Sequence, residues 1–198
     1  MDRMMKMKLM NIAAAFLMLF SSPVLALQIE NIEIPEQITQ AGSQQALTLN
    51  GAGIRTKFIF NIYVGALYLN KSSKDVEKVL NDTGSKRISM HFLYDKIEKE
   101  KMTSGWTGGF EDNLSETQFT ALKPSIDKFN SAFSSATVKG DTVIIDFIGN
   151  EETSVAINGT EKTRISGADF QRAVLSIWLG ESPADEDLKQ AMLGISEE

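Results

Sequence analysis

The sequence contains no cysteine and a single histidine, His91, in 198 residues. The first absence excludes disulfides, thiolate metal sites, a cysteine nucleophile and lipoprotein attachment. The second leaves too few ligands for a conventional zinc site. A haem would have to hang on His91 alone, and a Ser-His-Asp triad would also have to use it, yet no Gly-x-Ser-x-Gly elbow is present. His91 falls out of phase with Met90 and Phe92 in "KRISMHFLY", which predicts an exposed or half-buried ring. Glycine-rich stretches occur, but none has the lysine pattern of a phosphate loop. Basic residues are outnumbered, 20 against 26, and form no cluster, so the composition disfavours nucleic acid and anionic lipid surfaces as partners. Neither a metal nor a cofactor is expected.

What is present begins with a leader. Arg3, Lys6 and Lys8 precede an apolar run from about Leu9 to Phe20, then Pro23 and the small-residue spacing Val24-Leu25-Ala26. The run is shorter than the roughly 20 residues that span a bilayer. Residues 1–26 are therefore expected to be a secretory signal peptide cut after Ala26, leaving one domain over 27–198 with no membrane anchor after processing. An exported chain without cysteine points to a bacterial periplasm. Cleavage removes three basic residues and one acid, leaving 17 Lys and Arg against 25 Asp and Glu, a formal charge of −8.

The mature chain reads as β-rich, then helical, then β, then helical. "QIENIEI" (28–34) and "ALTL" (46–49) have strand character, "NGAG" reads as a turn, and residues 57–69 read as one unusually long strand with a bend near Gly65. Helices are expected in "SSKDVEKVLND" with Ser72 or Ser73 as cap, in "EKEKMTSGWTGGFEDNLSE" and in "KPSIDKFNSAFSSA". Three strands follow, with Asn158-Gly159 between the last two as a hairpin signal. The chain closes on "GADFQRAVLSIWLG" and on a helix capped by Ser182. That order predicts an α+β fold in which a large antiparallel sheet carries a helical layer on one face.

Two constellations carry chemistry. In "GIRTKFIFNIYVGALYLN", strict alternation puts Phe58, Phe60, Ile62, Val64, Ala66 and Tyr68 on an apolar face, and Arg55, Lys57, Ile59, Asn61, Tyr63 and Gly65 on a mixed one. Arg55 follows Gly51 and Gly53, which would turn the backbone and place the guanidinium over the sheet, where it could clamp a carboxylate or form a structural ion pair. In "GWTGGFEDN", a helix would align Gly105, Gly108 and Gly109 in a bare stripe beside Met102, Trp106, Phe110 and Asn113. Interior glycines cost roughly 1 kcal/mol each relative to alanine, so a close ligand or a close backbone should offset them. Trp106 and Asn113, two turns apart, would then line one groove, or Trp106 would be plain core.

"LNGAGIRTKFIFNIYVGALYL", "GWTGGFEDNL" and "ISGADFQRAVLSIWLGESP" together resemble the chalcone isomerase-like family, in particular its exported bacterial branch. The resemblance implies an open-faced β-sandwich with a ligand cleft between sheet and helices. Plant isomerases of this family hold a phenolate near an arginine, and its fatty-acid-binding members hold a carboxylate with arginine and tyrosine. By position these roles fall on Arg55, Tyr63, Trp106 and Asn113. Trp106 stands where the isomerases have tyrosine, and the segment from Arg55 to Tyr63 is shorter than in the plant enzymes, which have a hairpin there. Both departures favour a non-catalytic periplasmic binder of a small amphipathic molecule (fatty acid, aromatic acid or tetrapyrrole). The alternative is an intramolecular lyase or isomerase of a phenolic substrate.

Overall fold

The computed structural model describes residues 26–40 and 45–195. The expected leader, apart from Ala26, lies outside the described residues. Seven strands form one antiparallel sheet: β3 (Gln37–Thr39), β4 (Ala46–Lys57), β5 (Phe60–Leu69), β6 (Lys86–Phe92), β9 (Thr142–Ile148), β10 (Glu152–Ile157) and β11 (Thr160–Ser166), in the order β11-β10-β9-β6-β5-β4-β3. Two short pairs lie outside it, β1 (Ala26–Ile29) with β2 (Ile32–Pro35) and β7 (Lys96–Ile97) with β8 (Thr137–Val138). The helices are α1 (Val76–Asn81), α2 (Lys99–Glu111), α3 (Glu116–Ser131), α4 (Ala168–Leu179) and α5 (Glu186–Met192).

Alternation along the strands divides the molecule into two unequal cores. Leu67, Leu69, Ile88, Met90, Phe92, Val143, Ile145 and Phe147 face the helices and meet Trp106, Phe129, Phe133, Phe170 and Trp178 in one buried cluster. Val64, Ala66 and Tyr68 face the other way and are covered by Ile34 and Leu47, with Ile29 and Ile32 at the border. A fully buried large apolar side chain stabilises the fold by roughly 1.5 to 3 kcal/mol, so the helical side supplies most of the driving force. The α+β architecture expected from the element order is therefore the one observed.

Several local readings change. The apolar run 57–69 is not one strand: it folds back at Phe58-Ile59, with Lys57 opposite Phe60. Gly65 stays in regular register opposite Gly53, and the irregularities lie instead at Leu49/Gly51 and Arg55/Thr56. "NGAG" is not a turn but the middle of β4. Its glycines serve the close approach of α5: a Cβ on Gly51 would stand 2.0 Å from the Ala191 carbonyl oxygen, and one on Gly53 2.6 Å from the Ala191 Cβ. Aspartates replace the expected serine caps. Asp75 caps α1 and accepts from the Lys78 amide, and Asp185 caps α5 and accepts from the Leu188 amide. α3 starts at Glu116, seven residues before the expected start, held by a Ser115/Gln118 capping box with Pro124 inside. The Asn158-Gly159 hairpin is as expected, with φ of 50° and 74°.

Candidate functional site

The hairpin at Phe58-Ile59 is what assembles the site. Because the chain reverses there, Arg55 on β4 is the direct cross-strand partner of Tyr63 on β5, and Tyr63 in turn pairs with Phe92 on β6. Cross-strand partners share a face, so Arg55, Tyr63 and Phe92 make a row across three strands, all turned toward the helices. The Arg55 guanidinium carbon lies 5.8 Å from the centre of the Tyr63 ring, and the Tyr63 and Phe92 rings are 5.4 Å apart.

Above this row runs α2, and between the two is a cavity of about 770 Å³. That is within the usual range for small-molecule sites. Arg55, Tyr63 and Phe92 line it from the sheet, Met102, Gly105 and Trp106 from α2, and Ile177 with Ser182-Pro183-Ala184 from α4 and the α4–α5 connection. Phe58, Phe60 and Tyr94 line it where it meets the surface, and Phe60 and Tyr94 meet edge to face at 5.5 Å.

Two polar groups in this cavity have no partner. Arg55 Nε and Trp106 Nε1 are both buried and neither makes a hydrogen bond. No ion pair joins Arg55 to a described carboxylate. A buried donor left unpaired costs about 1 to 3 kcal/mol, so an acceptor that reached either one would be favoured there. Asp185 is near enough to act on Tyr63 electrostatically, but its carboxylate is already taken, one oxygen by the Thr56 amide at 2.8 Å and the other by the Leu188 amide at 3.0 Å.

The Tyr63 hydroxyl is differently placed. It accepts a hydrogen bond from Trp178 Nε1 at 2.8 Å, deep between sheet and α4. Burial pushes its pKa above the ordinary 10.0, against the opposing pull of Arg55 and of the Trp178 hydrogen bond. The group is thus a neutral phenol at physiological pH.

Asn113 does not line the cavity. Its amide donates to the Gly109 carbonyl at 3.0 Å and the Ser182 carbonyl at 2.8 Å, and its oxygen accepts from the Ser182 amide at 3.1 Å. It ties the end of α2 to the α4–α5 connection, and the groove shared with Trp106 is not formed. The glycine stripe divides in two. Cβ atoms on Gly105 and Gly108 would meet nothing within 4 Å, whereas one on Gly109 would lie 3.0 Å from Ile177 Cγ2. Gly109 therefore lets α2 approach α4, while Gly105 leaves bare backbone along the cavity. Trp106 is both core and lining, its ring 5.3 Å from Phe133 and 5.6 Å from Trp178. His91 is half-buried, and burial holds its pKa below the ordinary value. Among the described residues no group of three metal-ligating side chains comes together.

A family model described as chalcone isomerase-like matches residues 26–194. The chain belongs to the chalcone isomerase-like family. Among solved structures, a fatty-acid binding protein of Arabidopsis thaliana is similar, with a TM-score of 0.71 and 16% identity over 85% of this chain and 96% of that one. At that identity the likeness is one of fold. No curated protein sequence matches the chain.

In this chalcone isomerase-like protein the hairpin between the arginine and tyrosine positions is present after all. It was hidden because Phe58 and Ile59 are not turn formers. The part played by Trp178 was missed as well, since nothing in "SIWLG" distinguishes an indole aimed at Tyr63 from ordinary core.

Proposed function

We propose that the protein is a non-catalytic binding protein for an anionic amphiphile, best represented by a fatty acid, held in the cavity between the sheet and α2. One observation carries the reading: Arg55 and Trp106 both line the cavity, and each carries a buried N–H donor without a partner. A carboxylate would satisfy both, with a charge-assisted bond to the guanidinium, while the apolar tail lay along Phe92, Met102 and the bare backbone at Gly105. The fatty-acid binding protein of the same fold supports this choice over an aromatic acid or a tetrapyrrole.

Catalysis is a poorer match. The Tyr63 oxygen already accepts from Trp178 Nε1, leaving only its O–H to donate, and Trp106 offers one N–H but no hydroxyl to hold a carbonyl or an ordered water. The basic and apolar leader pattern supports export to a bacterial periplasm, with the mature chain beginning at Leu27 and the protein in the exported bacterial branch of its family. Calorimetric titration of the chain from Leu27 with oleate tests the binding proposal. Saturable one-to-one binding is expected, and the absence of binding by oleate and by shorter fatty acids would overturn it. Intact-mass measurement on exported protein tests the leader, for which a retained Met1 would be the contrary result.

A further inference from the structure

At the end of the cavity edged by Phe58 and Phe60 the surface is unlike the rest of the molecule. Phe58 is 89% exposed and Ile59 86%, the highest values for large apolar residues among those described. Phe60 beside them is 49% exposed. Single exposed apolar residues are ordinary, but three in succession at a projecting tip are not. Phe58 also has φ of 59°, in the left-handed region that a bulky residue rarely adopts and that glycine would occupy without strain. The tip thus carries an aromatic ring where neither folding nor turn geometry asks for one.

Charge along the cavity rim runs against the acidity of the whole chain, while at the foot of the hairpin the carboxylates of Asp185 and Glu30 accept from the Thr56 amide and from Asn61. The cavity and its rim hold Arg55, Lys57, Lys96 and Lys101 against Glu98 and Asp112. Lys96 pairs with Glu98 at 2.7 Å, and Lys57 and Lys101 are exposed. An apolar tip with Lys57 next to it in sequence and Lys101 on the same cavity rim is complementary to a bilayer with anionic headgroups, the rings and the isoleucine entering the interface and the two lysines meeting the phosphates. The even acidity read from the composition concealed this local reversal.

We infer that the β4–β5 hairpin docks the cavity mouth onto an anionic lipid bilayer, so that an amphiphile passes between membrane and cavity without crossing water. The docking surface stands on its own geometry, and the transfer step rests on the fatty-acid reading above. Ile59 is the residue to change, because it does not line the cavity and its exposure makes it dispensable for folding. Flotation of the ligand-free chain from Leu27 with vesicles of phosphatidylcholine mixed with phosphatidylglycerol should show binding that weakens with added salt. Ile59→Asp should weaken it about tenfold, and Ile59→Leu should restore it. Oleate titration in the absence of vesicles should be the same for Ile59→Asp as for wild type. Failure of the wild type to float, equal flotation of Ile59→Asp, or a wild-type dimer that Ile59→Asp dissociates would each overturn the docking surface, the last by assigning the tip to a second copy of the chain. Flotation together with a failure to bind oleate would uphold docking and overturn only the identity of the cargo.

Discussion

Replacing Arg55 by alanine separates a binding arginine from a structural one. Arg55 makes no hydrogen bond through Nε and no ion pair with a described carboxylate, and its guanidinium lies 5.8 Å from the centre of the Tyr63 ring. Such a cation–π contact contributes about 0.5 to 1 kcal/mol. The buried unpaired Nε opposes it, at a cost of about 1 to 3 kcal/mol that the alanine variant would not bear. The net change in stability is therefore expected to lie between about zero and a gain of about 2.5 kcal/mol, which for a domain of this size leaves Tm unchanged or raises it by up to about 10 °C. Binding should respond quite differently. A hydrogen bond to a charged group contributes about 1.5 to 3 kcal/mol, so oleate affinity should fall roughly ten- to 150-fold. Calorimetric titration and thermal melting of the two proteins give both quantities. Unchanged affinity, or a Tm lower by more than about 10 °C, would refute the reasoning and make Arg55 a structural residue.

Other perturbations test the frame around the site. Tyr63→Phe leaves the buried Trp178 Nε1 without its acceptor and should cost about 1 to 3 kcal/mol in a urea titration; an unchanged midpoint would mean that the indole finds another partner. Gly51→Ala places a methyl 2.0 Å from the Ala191 carbonyl oxygen and should lower stability by about 2 kcal/mol or more, whereas a wild-type melting curve would show that α5 is free to shift. Burial raises the hydroxyl pKa of Tyr63, and that of Tyr68 to about 12, above the ordinary 10.0. The unfolded chain then loses these protons first, so stability should be complete below pH 10 and fall as pH rises toward 12; a denaturation midpoint constant over that interval would contradict the assignment. The wild type should show no chalcone cyclisation above buffer, and Trp106→Tyr alone should not confer it, because an added hydroxyl does not align the charge stabilisation that ring closure needs; measurable turnover would favour the enzyme reading.

The large features were legible because strand and helix periods differ. Ile88, Met90 and Phe92 fall on the helical face of β6 as alternation requires, and Asn158-Gly159 marks its hairpin by residues that tolerate positive φ. Three failures have a common physical origin in tertiary context. Glycines in "NGAG" read as a turn because turns are their usual use, yet here they make room for α5 against the sheet. Phe58-Ile59 reads as strand because both are strand formers, yet it turns at a strained φ. Asn113 reads as a groove residue by helical spacing, but the α4–α5 connection at Ser182 engages its whole amide. At the site, Arg55 and Tyr63 share a face for a reason that alternation along one strand did not supply, namely the register of two strands. The unpaired state of Arg55 Nε and Trp106 Nε1 could be known only once the surrounding partners had been placed.

On the fatty-acid reading, the cavity over the Arg55–Tyr63–Phe92 row takes an amphiphile by its anionic end. A crystal structure of the chain from Leu27 with oleate tests it most directly. Electron density for the acyl chain is expected along Phe92 and Met102, with the carboxylate within hydrogen-bonding distance of the Arg55 guanidinium and Trp106 Nε1. A carboxylate turned outward to Lys57 or Lys96, or an acyl chain bound elsewhere with both donors still unpaired, would contradict it.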